Sequence, residues 1–514
     1  MLNTAKIRHW VPAFAGTTLR VAFAGTTLRV AFAAVTALAL PLPAFAHGFG
    51  RLYNLPVPFW LYAWGAAAAL ILSFAVVGWF VAQPAAPGAG AGRDLGQARW
   101  VAVLRRVRLV PVLRMLAVAA LLLCIATGLF GSRDPYRNFS MTFFWVIFVL
   151  GFAYLTALIG NLYAAINPWR VLAEWLQRIV PGYARGRVRY PEALGAWPAL
   201  AFYLAFIAFE LFSLGRPFSL AVMLLAYTGI NLAGVWLVGA QAWFRHCEFF
   251  GVFLRLVALM APLDYVRGEG APSVLRWRRP LSGTLQERPQ SLGLVVFVLF
   301  MLASTAYDGL RSTQPWVGLF WNDPTGVLTR WAGQPPIQAY ATVLPWYKVW
   351  DRFWLLAAPF VYFGVYLAFI ALTRWAARSE RPVRELALDF AYALLPIALV
   401  YNVTHYFTLL LTQGVKAASL LSDPFGWGWN LFGTAMLWRA PILPDLGWVW
   451  HAQVGLILLG HIASVYLAHR VALRVFPARG RAVLSQLPML GLMVAFTVAG
   501  LWILAQPLTA MVAL

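Results

Sequence analysis

Ionisable side chains inside long apolar runs are costly in hydrocarbon, and they persist where they pair, conduct or react. Two carboxylates stand out on that ground: Glu210 in AFIAFELFSLGRP and Asp308 in AYDGLR. Arg216 and Arg311 follow them closely and are the expected ion-pair partners. Asp389, close to Arg381 and Arg384, reads as structural. The chain holds 7 histidines. His405, in YNVTHYFTLLLT, and His461, in LLGHIASVYLAH, fall at comparable depth in apolar runs, with His451 and His469 flanking the second. Imidazoles in that number suit a divalent metal, copper or a b-type haem, with Glu210 or Asp308 as further ligand or general base. Helix geometry restricts the set. His451 lies about 15 Å of rise from His461, and His461 about 12 Å from His469, so no two of these three share one ion on a regular helix. The expected pairing is therefore His405 with His461. The structural alternative is a set of core histidines bonded to Tyr, Thr or backbone.

The elements that must position these groups are membrane helices. The sequence has 514 residues, is 62% hydrophobic and 11% charged, and has a mean hydropathy of +0.72, which no water-soluble core could bury. Its 25 Trp and 19 Tyr fit rings anchored at headgroup level. A net charge of +23 raises the question of nucleic acid, but the arginines lie in short loops between apolar runs, as membrane orientation requires, and nucleic-acid binding is excluded. Only 2 cysteines occur, Cys124 and Cys247, without CxxC spacing, so neither a disulfide framework nor an iron–sulfur site is expected.

Residues 1–46 read as a secretory signal, with Lys6 and Arg8, an apolar stretch from Ala31 to Leu42, and Ala44-Phe45-Ala46 as the cleavage pattern. The nine-residue repeat AFAGTTLRV at 13–21 and 22–30 lengthens this region. Cleavage after Ala46 would make His47 the first residue, whose α-amine and Nδ1 together chelate copper well. Residues 47–514 then form one helical transmembrane domain, an all-α polytopic bundle of about ten spans: 59–82, 109–130, 141–166, 196–214, 219–240, 292–307, 353–373, 386–413, 449–469 and 487–511. Of the 40 Lys and Arg, 25 fall in alternate loops assigned to the cytoplasm and 10 in the opposite loops. The expected location is therefore a cell inner membrane, with both mature termini periplasmic. The long outer loops 308–352 and 414–448, rich in Trp and Pro, are expected to fold back over the bundle. The apolar segment from Glu248 to Pro262 is expected to be interfacial or re-entrant, because a full span there would invert every later loop.

No G-x-S-x-G, Walker A, HExxH or dinucleotide fingerprint occurs. The stretches HGFGRLYNLPVPFWLY (47–62), NPWR (167–170), AYDGLR (306–311) and the Gly460-His461 and Ala468-His469 pairs resemble a family of bacterial multi-pass membrane proteins labelled hypothetical or fenitrothion hydrolase. The resemblance implies hydrolysis of a lipophilic organophosphate triester, a substrate that partitions into the bilayer. It further implies water activated by a metal on His405 and His461, with Glu210 or Asp308 assisting. The HxH pairs and bridging lysine of soluble phosphotriesterases are missing. Two other functions stay open: a copper or haem protein ligated by His405, His461, His451 and His47, and a transporter with an outer cavity gated by the Trp-rich loops.

Overall fold

The computed structural model describes residues 47–48, 51–52, 58–81, 92–213, 215–266, 274–437, 440, 442, 445–476 and 478–506. The proposed signal and its repeat lie outside these residues. Nine helices among those described are long and apolar enough to cross a membrane. They are α1 (Phe59–Phe80), α2 (Leu109–Phe130), α3 (Phe139–Ile159), α6 (Pro217–Val238), α9 (Leu292–Arg311), α10 (Tyr340–Ala376), α11 (Val383–Ser422), α12 (Leu446–Val475) and α13 (Arg479–Ala505). Between them lie α4 (Pro168–Ile179), α5 (Trp197–Phe212), α7 (Ala240–His246) and α8 (Phe249–Ala258).

The apolar pattern predicts a span at α5, which has only 16 residues. At about 24 Å it falls a little short of the hydrocarbon thickness. It nevertheless runs beside α9 from end to end. The Trp197 backbone nitrogen abuts Gly293 at one end, the Tyr203 and Phe300 rings meet at 4.8 Å, and the Arg311 guanidinium lies 5.1 Å from the Phe212 ring centre at the other. Because α5 keeps pace with a helix that crosses, it completes a set of ten.

α9 is the central pillar. Some 89% of its most apolar stretch is buried within the protein, against 11% for α1. It packs against α5, α10, α11 and α13, whereas α1 lies on the rim against α12 and α13. The apolar run predicts α9 as the shortest span, 292–307, but the helix continues to Arg311 and carries Asp308 on its last turn. α10 starts at Tyr340, well before the predicted 353, and runs 37 residues through Pro345 and Pro359, so it projects beyond the bilayer. The loop before it folds back as expected. Val317, Phe320 and Trp321 bury against Ala339 and Val343. The loop after α11 docks on the 131–139 turn, where Pro424 and Phe425 carbonyls accept from Phe139 and Ser132.

The arginine-rich side carries a three-stranded sheet of β3 (Arg93–Asp94), β5 (Val274–Trp277) and β4 (Leu263–Val266), in that order; β1 (His47–Gly48) and β2 (Arg51–Leu52) form a separate two-residue ladder. Arg114, the lone basic residue inside a predicted span, bonds Glu174 and so ties α2 to α4. Asp389 is held by Arg288 and Arg381.

α7 and α8 form a re-entrant hairpin, one of the two alternatives the sequence left for 248–262. Gly239, at φ 86°, turns the chain back at the end of α6. Trp243 of α7 then lies against Gly234 and donates from Nε1 to Asn231, at 2.8 Å. At the tip Glu248 caps α8 by accepting from the Gly251 amide, and it also meets Tyr227, eleven residues before the end of α6. α8 returns toward the sheet, where Arg278 bonds the carbonyls of Ala258 and Ala261.

Candidate functional site

On its last turns α9 turns Ser304, Thr305 and Asp308 toward α5 and α11. Asp308 Oδ2 accepts from His405 Nε2 at 2.9 Å and from the Tyr406 hydroxyl at 2.8 Å. His405 and Tyr406 are consecutive on α11, so they splay to either side of the carboxylate, their rings edge to face at 4.5 Å. The bond to Asp308 fixes the tautomer: the imidazole keeps its proton on Nε2 for as long as Asp308 is ionised. Both side chains are about four-fifths buried, at 24% and 20% exposure, so each depends on the other for its charge balance.

Glu210 enters from α5. It lines the same small cavity, about 40 Å³, together with Asp308, Tyr406, Asn402, Tyr203 and Ser304. That volume holds about two or three water molecules. Phe249 and Phe250 of the re-entrant hairpin close its floor, and α3 supplies Phe148, Val149 and Leu150. This part of α3 is a π-helix, Thr142–Phe152, a wide-turned form that recurs at functional sites. A second, open cavity of about 370 Å³ leads from the arginine-poor side and is lined by Tyr136, Trp145, Arg216 and Gln413. Glu210 and Tyr406 belong to both walls. The Glu210 carboxylate therefore sits where the open vestibule meets the buried chamber. Among the described residues it has no hydrogen-bond or ion-pair partner; Arg216 lines the vestibule without bonding it.

The arginine expected to serve Asp308 is engaged elsewhere. Arg311 bonds Asp351 of α10 at 2.6 Å, and the same carboxylate accepts from the Tyr307 hydroxyl. Three residues along a helix turn two side chains about 60° apart, enough to send Asp308 to α11 and Arg311 to α10.

The other predicted histidines do not gather around one point. His461 is fully buried, donates from Nδ1 to the Ile457 carbonyl of its own helix at 2.8 Å, and faces Tyr401 at 6.1 Å between ring centres. One turn of α11 separates Tyr401 from His405. His461 Nε2 has no partner among the described residues. His451 is exposed and donates from Nδ1 to the Gly447 carbonyl. His47 pairs through its backbone with Leu52, and its side chain lies outside the described residues. His469 ties three helices together, with Nδ1 at Gln486 of α13 and Nε2 at the Val81 carbonyl after α1. No group of three or more His, Cys, Asp or Glu side chains is arranged to hold a metal among the described residues.

Sequence reasoning missed Tyr406 and Glu248. Tyr406 follows His405 directly and could have been found by asking which hydroxyls neighbour the buried histidine. Glu248 opens an apolar helix in RHCEFF, a carboxylate at a helix start beside two phenylalanines. No protein-family model, curated protein or solved structure matches this chain, which on its own residues is a polytopic helical membrane protein.

Proposed function

We propose that this protein is a proton-handling membrane transporter, with Glu210 and the Asp308–His405–Tyr406 cluster as its proton-binding site. One observation carries the reading: two carboxylates, one of them bonded to an imidazole, line a water-sized chamber within the bundle, and the other also faces an open vestibule. Intramembrane ionisable groups around water are costly to keep and mark ion pathways. With 25 of the 40 basic residues on the other side, the vestibule faces the periplasm of an inner membrane.

The parts have distinct roles. Glu210, without a partner, takes a proton from vestibule water and becomes neutral, which relieves its repulsion with Asp308 across the chamber. Chamber water carries the proton on to Asp308, which lines the chamber, and Glu210 is ionised again, while His405 Nε2 stays bonded to the Asp308 carboxyl. The resulting Asp308–His405 pair is neutral, so the loaded site carries only the restored charge of Glu210 at the vestibule. Tyr406 holds Asp308 in place in either state.

The test is proton flux into proteoliposomes loaded with a pH-sensitive dye and driven by a potassium diffusion potential. Asp308→Asn is expected to lower the flux at least about tenfold, as expected for loss of a group that transfers protons. Wild-type flux no greater than that of empty vesicles would sink the proposal.

A hydrolase acting on lipophilic organophosphates is the second reading, and one observation favours it beyond the motifs. His405 is oriented by Asp308 as a general base is by its carboxylate, and its neighbour Tyr406 lines a vestibule large enough for a small triester. His405 would take a proton from water as its oxygen attacks phosphorus and the aryloxide leaves. Among the described residues His405, His461 and His451 do not converge on one ion, and the His47 side chain lies outside them. Nitrophenol release from an aryl phosphotriester, measured beside the flux, separates the two readings: a rate abolished in His405→Ala favours hydrolysis, and equal rates discard it.

A further inference from the structure

The re-entrant hairpin places a second buried carboxylate on the far side of the chamber. Glu248 is fully buried, and its two oxygens take four hydrogen bonds. Oε1 accepts from the hydroxyls of Tyr227 at 2.9 Å and Tyr163 at 3.3 Å, and Oε2 from Asn167 Nδ2 at 3.0 Å and the Gly251 amide at 2.7 Å. A helix cap needs one acceptor. Three side chains from other elements converge here on a group that capping alone does not require.

Three of those four partners are also walls of an open cavity. Tyr163, Asn167 and Gly251 line a vestibule of about 510 Å³ on the arginine-rich side, with Arg170, Arg245 and Arg255. Glu174 lines it too, bonded to Arg114, and Arg255 pairs with Glu287 at 3.6 Å. Water in this vestibule therefore reaches the first ring of groups around Glu248. In the other direction the next two residues of the chain, Phe249 and Phe250, form the floor of the Glu210–Asp308 chamber. Their rings lie 4.0 Å apart, Phe249 stacked on Tyr203 and Phe250 on Trp169. The two cavities thus lie on either side of a packed aromatic layer, in which Phe249 and Phe250 stand next to Glu248 and Phe148 touches Tyr163.

We propose that Glu248 is a second proton-binding carboxylate, open to the arginine-rich side, and that Phe249 and Phe250 form the dry barrier between it and the Glu210–Asp308 chamber. This rests on the proton-transport reading and adds the exit that reading requires. When the aromatic pair parts, chamber water passes one proton to the Glu248 carboxylate, making the neutral acid. The acid then returns one proton to vestibule water through the ring of Tyr163, Tyr227 and Asn167. One proton enters, one leaves, and no bond between heavy atoms changes.

The experiment uses the same proteoliposomes. Glu248→Gln is expected to lower flux at least about tenfold, as Asp308→Asn does, and to remove one carboxyl band from the infrared difference spectrum between pH about 5 and about 8. Phe250→Ala is expected to raise the passive proton leak several-fold. Ala164→Cys puts a thiol on the exposed wall of the vestibule, while the native Cys124 and Cys247 are buried. A cationic methanethiosulfonate applied from the arginine-rich side should cut that variant's flux relative to its own unmodified flux, and a reductant should restore it. If Asp308→Asn abolishes flux while Glu248→Gln keeps the wild-type flux and band, Glu248 is a structural cap; this inference falls and the transport reading stands. Should Glu248→Gln fail to fold, no leak in Phe250→Ala together with no block of the Ala164→Cys variant overturns it equally. Absence of wild-type flux overturns both readings at once.

Discussion

At the scale of single residues, the bundle keeps two buried acids around the last turns of α9 and treats them differently. Asp308 shares its charge with His405 and Tyr406, both able to exchange a proton, whereas Asp351 is locked to Arg311, which cannot lose one. The second pair is accordingly a brace. Arg311→Met leaves the Asp351 charge buried and is expected to cost about 3–5 kcal/mol, read as a lower thermal midpoint in detergent. Adding Asp351→Leu should recover much of that loss, because the unpaired charge goes with it. That Glu210 and Asp308 lie inside apolar helices was legible in the sequence, since the cost of a charge in hydrocarbon singles them out without any structure. Their partners were not. Arg311, three residues along the helix, looked right for Asp308, yet the true partner is 97 residues away in the chain. Contacts between helices decide that choice, and they leave no trace in local spacing.

At the scale of elements, the hairpin of α7 and α8 is the part most dependent on one small residue. A Cβ at Gly234 would lie 2.3 Å from the Trp243 ring, so the indole lies flat on α6 only because glycine stands there. Gly234→Ala is expected to cost about 1–3 kcal/mol as an overpacked contact. It should also loosen the hairpin, read as faster backbone hydrogen exchange across 240–258 than across α9. The alternation of charge was enough to tell from the sequence that this segment does not cross. Its depth was hidden, because an apolar helix of ten residues looks alike on a membrane surface and inside a bundle. Helix ends were the least legible feature. α10 begins in a loop whose Trp and Pro content reads as irregular, and Pro345, the sixth residue of the helix, is tolerated inside it at the loss of one intrahelical bond.

At the scale of the whole molecule, the positive-inside pattern and the ten-helix count support each other, and orientation can be tested without knowing the function. Gln334→Cys and Glu380→Cys place exposed thiols on opposite sides. A membrane-impermeant maleimide should label the first in intact cells and the second only after permeabilisation; the reverse pattern would invert the bundle and exchange the two vestibules. The sequence also spoke clearly for lipid as the solvent, because composition alone fixes it. What it could not convey is the ranking of helices from rim to centre, since α1 and α9 are similarly apolar but differ in burial, 11% against 89%. That ranking has a consequence for how the chain is made. Of the helices packed around α9 only α5 precedes it, while α10, α11 and α13 have yet to leave the ribosome. At usual elongation rates Asp308 waits about 5–20 s for His405 to be synthesised. During that interval the insertion machinery, or a held-back α9, must shelter a carboxylate that the finished protein shelters with its own imidazole.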